Sequence, residues 1–326
     1  MGNRLFIGLT AGFVAAVLYV TVATGTLFAL VLYFLTPLPL FIAGLGWGAL
    51  TVAVGGGAGT VLTTVVVGFD KGMQFLVTVA APVVILTYIA LLSRTGEWDG
   101  RPTVDWYPLG RLLIWIAALS AALIGFAVIF VGPDAASFEA ELRDFFGAAL
   151  RANPGFPADG VPVAGEKMDQ LVEMLVRIAP PGSAAGWMLM MVAIMLVASV
   201  VVQRSGHAIR PPEECANLDL PLSAAPLLGA AFAASFLPGF AGIVAISFTA
   251  TLVVSYALQG LAVIHVITRG NPIRPVLLGF AYLMYFAASM IGVPMLAATG
   301  MAETLFRLRD RFSAGSSGPP TPPRGT

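Results

Sequence analysis

LFIGLTAGFVAAVLYVTVATGTLFALVLYFL, residues 5–35, contains no charged side chain. A helix rises about 1.5 Å per residue, so about 20 apolar residues cross the hydrocarbon core of a bilayer. The stretch is too long for the apolar core of a cleaved signal peptide and reads as a first membrane span. The same ruler finds further apolar blocks at 37–69, 73–92, 109–131, 184–203, 222–267 and 275–298. These blocks lack the strict alternation of a membrane barrel. Backbone amides and carbonyls inside a bilayer must be paired within the chain, so such runs are expected to be helices.

Composition points the same way. Hydrophobic residues make up 58% of the chain and charged residues 10%, against roughly a quarter charged in soluble domains. Mean hydropathy is +0.90, so too few polar side chains exist to coat a water-facing surface. With 17 basic and 17 acidic residues, no electrostatic case for a nucleic-acid partner exists. Cys215 is the single cysteine and His207 and His265 stand far apart, which argues against disulfides, metal sites and metal cofactors. Phosphate-cradling loops, nucleophile elbows and zinc-protease helices are absent from the sequence. The expected class is therefore a non-enzymatic, all-α, polytopic bundle without cofactor, whose obligatory partner is the lipid bilayer.

Two blocks exceed one span. In 37–69, Pro37 and Pro39 open a short helix that Gly44, Gly46 and Gly48 punctuate, and a second helix through Gly55–Gly59 ends near Asp70-Lys71-Gly72. In 222–267, Pro238-Gly239 marks a kink or turn, and 222–237 is marginal as a span. About eight crossings result. Short-loop arginines (Arg4, Arg94, Arg101, Arg204, Arg210) and the C-terminal Arg307, Arg309 and Arg311 place both termini in the cytoplasm. Segment 132–183, with four basic and eight acidic residues, suits the outer side. Within it Phe138, Leu142, Phe145, Phe146 and Leu150 recur at helical spacing, an amphipathic helix. A Pro/Gly-rich link over 153–165 and a second amphipathic helix around Glu166–Ile178 follow. The organisation expected is 1–131 membrane helices, 132–183 extramembrane, 184–312 membrane helices with an amphipathic end, and 313–326 a disordered tail.

Small residues at four-residue spacing form the clearest pattern: Gly8, Gly12 and Ala16, then Gly44/Gly48 and Gly55/Gly59. Such stripes let helix backbones approach closely. Packing inside the bundle is the plain reading, and docking of a partner membrane protein the sharper one. Gly55-Gly56-Gly57-Ala58-Gly59 lacks the lysine of a phosphate loop and belongs with the packing glycines. Polar groups in apolar spans are costly and therefore candidate sites. Tyr256, Gln259 and His265 are the ligand-binding candidates, although a satisfied, hydrogen-bonded histidine near the interface is the plainer reading of His265. Glu303 can pair with Arg307 four residues on or with Arg309. Trp47, Trp106, Trp115 and Trp187 lie near span ends, as interfacial anchors do.

Two stretches carry a resemblance. Gln259-Gly260-Leu261-Ala262-Val263-Ile264-His265 with the following span, and Gly300-x-x-Glu303-x-x-Phe306-x-x-Arg309 after it, resemble the YybS-like bacterial membrane proteins (domain of unknown function 2232). Glu303 stands where that family carries Asp, and 132–183 has no counterpart. The N-terminal third, with Pro39-Leu40-Phe41-Ile42-Ala43-Gly44 and a glycine ladder, resembles the substrate-binding subunits of energy-coupling-factor transporters. That likeness implies an unidentified small-molecule ligand and a membrane coupling protein docked on Gly8/Gly12/Ala16. A homo-oligomer is the other partnership to consider. A bacterial inner-membrane subunit of transporter type is the resulting expectation, with a non-transporting scaffold or assembly factor as its rival.

Overall fold

The computed structural model describes residues 2–98, 101–132, 134–152, 165–286 and 289–309. The 153–164 part of the Pro/Gly-rich link and the 313–326 tail lie outside the described residues. Among the described residues seven helical segments are long and apolar enough to cross a membrane, and one bent helix pair could make an eighth. The chain is an all-α polytopic membrane protein with one short β-hairpin.

α1 covers Gly2–Val20, α2 Leu27–Phe34, α3 Pro37–Trp47 and α4 Ala49–Val67. The 5–35 block is therefore not one span. Gly25 turns the chain at φ 66°, and Thr26 caps α2 by accepting the Ala29 amide at 3.1 Å. α2 and α3 together make the second candidate span, Leu27–Trp47. Pro37 does not break it, because the first turn of a helix leaves its amides unpaired in any case. Gly48, at φ 102° and ψ 167°, separates α3 from α4. It is a hinge between helices, a different role from the packing glycine its spacing to Gly44 suggests.

α5 (Phe69–Phe75) and α6 (Ala81–Ala90) flank a π-helical turn at Leu76–Ala80. Pro82 sits in the first turn of α6 and has no amide hydrogen. In α-helical register that amide would serve the carbonyl of Thr78. Trp187 Nε1 donates to the Thr78 carbonyl at 3.2 Å instead. The side chain expected as an interfacial anchor thus completes a broken helical ladder.

β1 (Ser93–Trp98) and β2 (Arg101–Trp106) pair antiparallel, Ser93 opposite Trp106 and Trp98 opposite Arg101. This hairpin departs from the purely helical expectation. Asp99-Gly100, the dipeptide between the strands, is a strong short-range hairpin signal.

α7 spans Leu109–Val131. α8 (Ala135–Ala152) begins where Asp134 Oδ1 accepts the Ser137 amide at 2.8 Å, a helix cap. α9 runs unbroken over Gly165–Arg204 with Pro180 and Pro181 inside it. The second amphipathic helix and the 184–203 span are thus one 40-residue helix, and the expected boundary at 183 falls within it. α10 (Ala224–Ala234) is 11 residues long, about 16 Å and too short to cross alone. α11 covers Gly239–Ile267, α12 Arg274–Phe286 and α13 Ser289–Phe306. α12 and α13 are bent by 118°, so the 275–298 block is not one straight span.

Two compact units share this chain. The first comprises Met1–Pro108, Trp115–Pro212 and Ala231–Thr251; the second Leu109–Ile114, Glu213–Ala230 and the described residues from Leu252 onward. In the first unit α1 lies directly on α4. A Cβ at Gly12 would overlap the Gly55 carbonyl, one at Gly8 the Thr51 carbonyl, and one at Gly55 would come within 2.7 Å of the Gly8 carbonyl. Gly59 meets the ring of Phe75, and Ala16 is fully buried. At such separation backbone Cα–H groups reach carbonyl oxygens across the interface. Gly44 packs on the Thr87 side chain and Val52. The Gly8/Gly12/Ala16 stripe is therefore occupied within the molecule, and its reading as a docking surface does not hold.

Candidate functional site

In the second unit α11 and α13 cross antiparallel through glycine. A Cβ at Gly260 would overlap the Leu296 carbonyl, and one at Gly300 the Tyr256 carbonyl. This contact explains two positions of the sequence signature as packing. It also brings Thr304 to Gln259, whose Nε2 donates to Thr304 Oγ1 at 3.1 Å. Gln259 has no exposed surface. Its Oε1 accepts the Leu220 amide at 3.1 Å and its Nε2 approaches Asp219 Oδ1 at 3.4 Å. The amide thus ties α11, α13 and the loop before α10, with both of its donors and one acceptor site engaged within the protein.

Beside it, Arg309 Nε donates to Glu303 Oε1 at 2.8 Å and the Arg309 amide to Oε2 at 3.0 Å. The two side chains are 14% and 7% exposed. Nη1 and Nη2 donate to the Ala216 and Leu218 carbonyls at 2.8 and 2.9 Å, with Asp219 3.9 Å away. Glu303 takes Arg309 rather than Arg307, because the helix ends at Phe306 and Arg307 turns the chain at φ 50°. That reversal aims the next arginine back at the loop. Phe306, the remaining signature residue, is 55% exposed.

His265 stands apart from this cluster. Its Nδ1 lies 2.9 Å from the Leu261 carbonyl and its Nε2 3.4 Å from the Tyr282 hydroxyl on α12. The Tyr256 hydroxyl is buried near Thr304 without a well-formed hydrogen bond. Thr304 bonds Gln259 six residues before His265, about 9 Å along one helix. Tyr256, Gln259 and His265 line neither the groove between α1 and α4 nor the cavity among α8, α9 and α11.

The first cavity, about 540 Å³, is a shallow apolar groove between α1 and α4, walled by Leu9, Val54, Gly57, Ala58, Val61 and Val65. Its walls continue the lipid-facing side of those helices. The second, about 380 Å³, lies in the first unit among α8, α9 and the start of α11. Phe138, Leu142, Val176, Ile243 and Ile246 form its apolar walls, and Glu139, Glu173, Arg177 and Ser235 its polar part.

Electrostatics organise that polar part. Arg143 bridges both acids: Nε donates to Glu173 Oε2 at 2.9 Å and Nη2 to Glu139 Oε2 at 3.2 Å. The Arg143 hydrogen bond and charge hold the Glu173 carboxyl below its ordinary value, and Glu173 with Glu139 raises the guanidinium of Arg143. Arg177 meets Glu173 only at 3.6 Å and is 79% exposed. Both acids are thus engaged by Arg143, while Arg177 is the least committed charge in the cavity. The Glu139/Arg143 and Glu173/Arg177 spacings are legible in sequence as i,i+4 pairs. The contact between Arg143 and Glu173, 30 residues apart, is not. Among the described residues no group of three His, Cys, Asp or Glu is placed to hold a metal ion. No protein-family model, curated protein or solved structure matches the chain.

Proposed function

We propose that this chain is a non-catalytic membrane subunit that binds a small molecule in the cavity among α8, α9 and α11. One observation carries the reading. A space of about 380 Å³ falls within the roughly 300–1,000 Å³ of small-molecule sites and combines apolar walls with a few converging polar groups. Of Tyr256, Gln259 and His265, Gln259 and His265 approach polar groups on neighbouring helices and Tyr256 is fully buried. On this reading the protein sits in a bacterial inner membrane with both termini cytoplasmic, which the arginines of the short loops support. The cavity then opens on the outer side. A transporter-like role working with a coupling protein remains the natural context, but that partner would use a face other than Gly8/Gly12/Ala16. The YybS-like resemblance adds no ligand of its own.

Native mass spectrometry of the protein released from nanodiscs tests the proposal. The wild type should carry a small-molecule adduct that a cavity-filling Leu142→Trp variant lacks. Identical adducts, or none in either protein, would count against it. The scaffold reading is favoured by the apolar groove beside Gly57, where an added Cβ would meet nothing within 4 Å. If a partner helix seats there, Gly57→Leu should abolish a cross-link formed from Val61 in native membranes.

A further inference from the structure

Resting on that cavity as the binding site, we infer that its ligand is a single-chain amphiphile with an anionic head, held by Arg177 with its chain between Leu142, Ile243 and Ile246. The two ends of the cavity differ. The charged side chains come from α8 and from the amphipathic part of α9, whereas Ile243 and Ile246 belong to the first turns of α11. A ligand spanning both ends has one polar and one apolar end. A volume of about 380 Å³ accommodates one short chain and not a two-tailed phospholipid.

The sign of the head follows from which charges are already engaged. Arg143 donates to both Glu173 and Glu139, so a cationic head would have to compete with a fixed guanidinium for either carboxylate. The Arg143 hydrogen bond also favours the ionised form of Glu173. Arg177, whose one ion-pair contact among the described residues is 3.6 Å long, can turn its planar fork to a carboxylate or phosphate without breaking a short bond.

Equilibrium dialysis of labelled octanoate, octylamine and octanol against the full-length protein in nanodiscs, with empty nanodiscs subtracted, reads the inference directly. The wild type should retain octanoate about tenfold better than the other two, the size expected of a charge-assisted hydrogen bond. Arg177→Gln should remove that preference while leaving octanol retention unchanged. Leu142→Trp and, as a second filling variant, Ile246→Phe should remove all three. Preference for octylamine, or equal retention of octanoate and octanol in the wild type, overturns the anionic head while leaving the cavity standing. Octanoate retention unchanged in both filled variants overturns the cavity itself.

Discussion

Replacing Trp187 by Phe keeps a ring between α9 and the broken α5–α6 span but removes the donor that reaches the Thr78 carbonyl at 3.2 Å. Because Pro82 cannot offer its amide, that carbonyl loses a partner in a place without bulk water. An unsatisfied buried polar group costs roughly 1–3 kcal/mol, and hydrogen bonds between membrane helices are worth up to about 2 kcal/mol. A loss of about 1–2 kcal/mol is therefore expected. The cause can be isolated by pairing the change with Pro82→Ala, which restores an amide at position 82. In that background Trp187→Phe should cost less than about 0.5 kcal/mol, giving a coupling near 1 kcal/mol. Reversible unfolding in mixed micelles measures all four proteins. Equal costs of Trp187→Phe in the two backgrounds would refute the account of the π turn as a proline defect mended from α9.

Other expectations follow from the same contacts. Gly12→Ala should cost about 1–3 kcal/mol in the same assay, because its Cβ overlaps the Gly55 carbonyl. Gly57→Ala, facing open space, should be neutral or gain up to about 1 kcal/mol from helix propensity. Glu303→Gln should lose about 3–5 kcal/mol by stranding Arg309, and its effect should add to that of His265→Ala within about 0.5 kcal/mol, since they share no partner. For pH, the lowered Glu173 value means its bond to Arg143 contributes above the ordinary carboxylate range and disappears as pH falls through the folded value. Arg143→Gln should move the Glu173 titration upward in carboxyl-selective NMR, and an unmoved titration would contradict the pairing. A cysteine at Asp144 should be labelled from the outer side and one at Thr95 should not; the reverse pattern would invert the orientation.

The helical membrane class was legible because apolar length alone dictates it. Span boundaries were less so, since they turn on local chemistry within continuous apolar sequence. Gly25 and the Thr26 cap end the first span inside an uncharged run, whereas Pro37 opens α3 as its place at the head of the 37–69 block suggests. The close-packing stripe was read correctly for Gly8, Gly12, Gly55 and Gly59, because four-residue spacing fixes one helix face. Gly48 has the same spacing and a different task, visible only in its backbone angles. The Glu303–Arg309 pair was also legible as one of two alternatives, and the positive φ of Arg307 decided between them. The cavity was not legible. Its charges come from α8 and α9 and its far wall from α11, and nothing in one sequence signals that Arg143 meets Glu173.

A cryo-electron microscopy map of the protein purified in nanodiscs with no ligand added shows whether this cavity is the binding site. Non-protein density bounded by Leu142, Ile243 and Ile246 should end against Arg177 and should be lost in Leu142→Trp. An empty or collapsed space there, with density instead beside Tyr256 and Gln259, would contradict it.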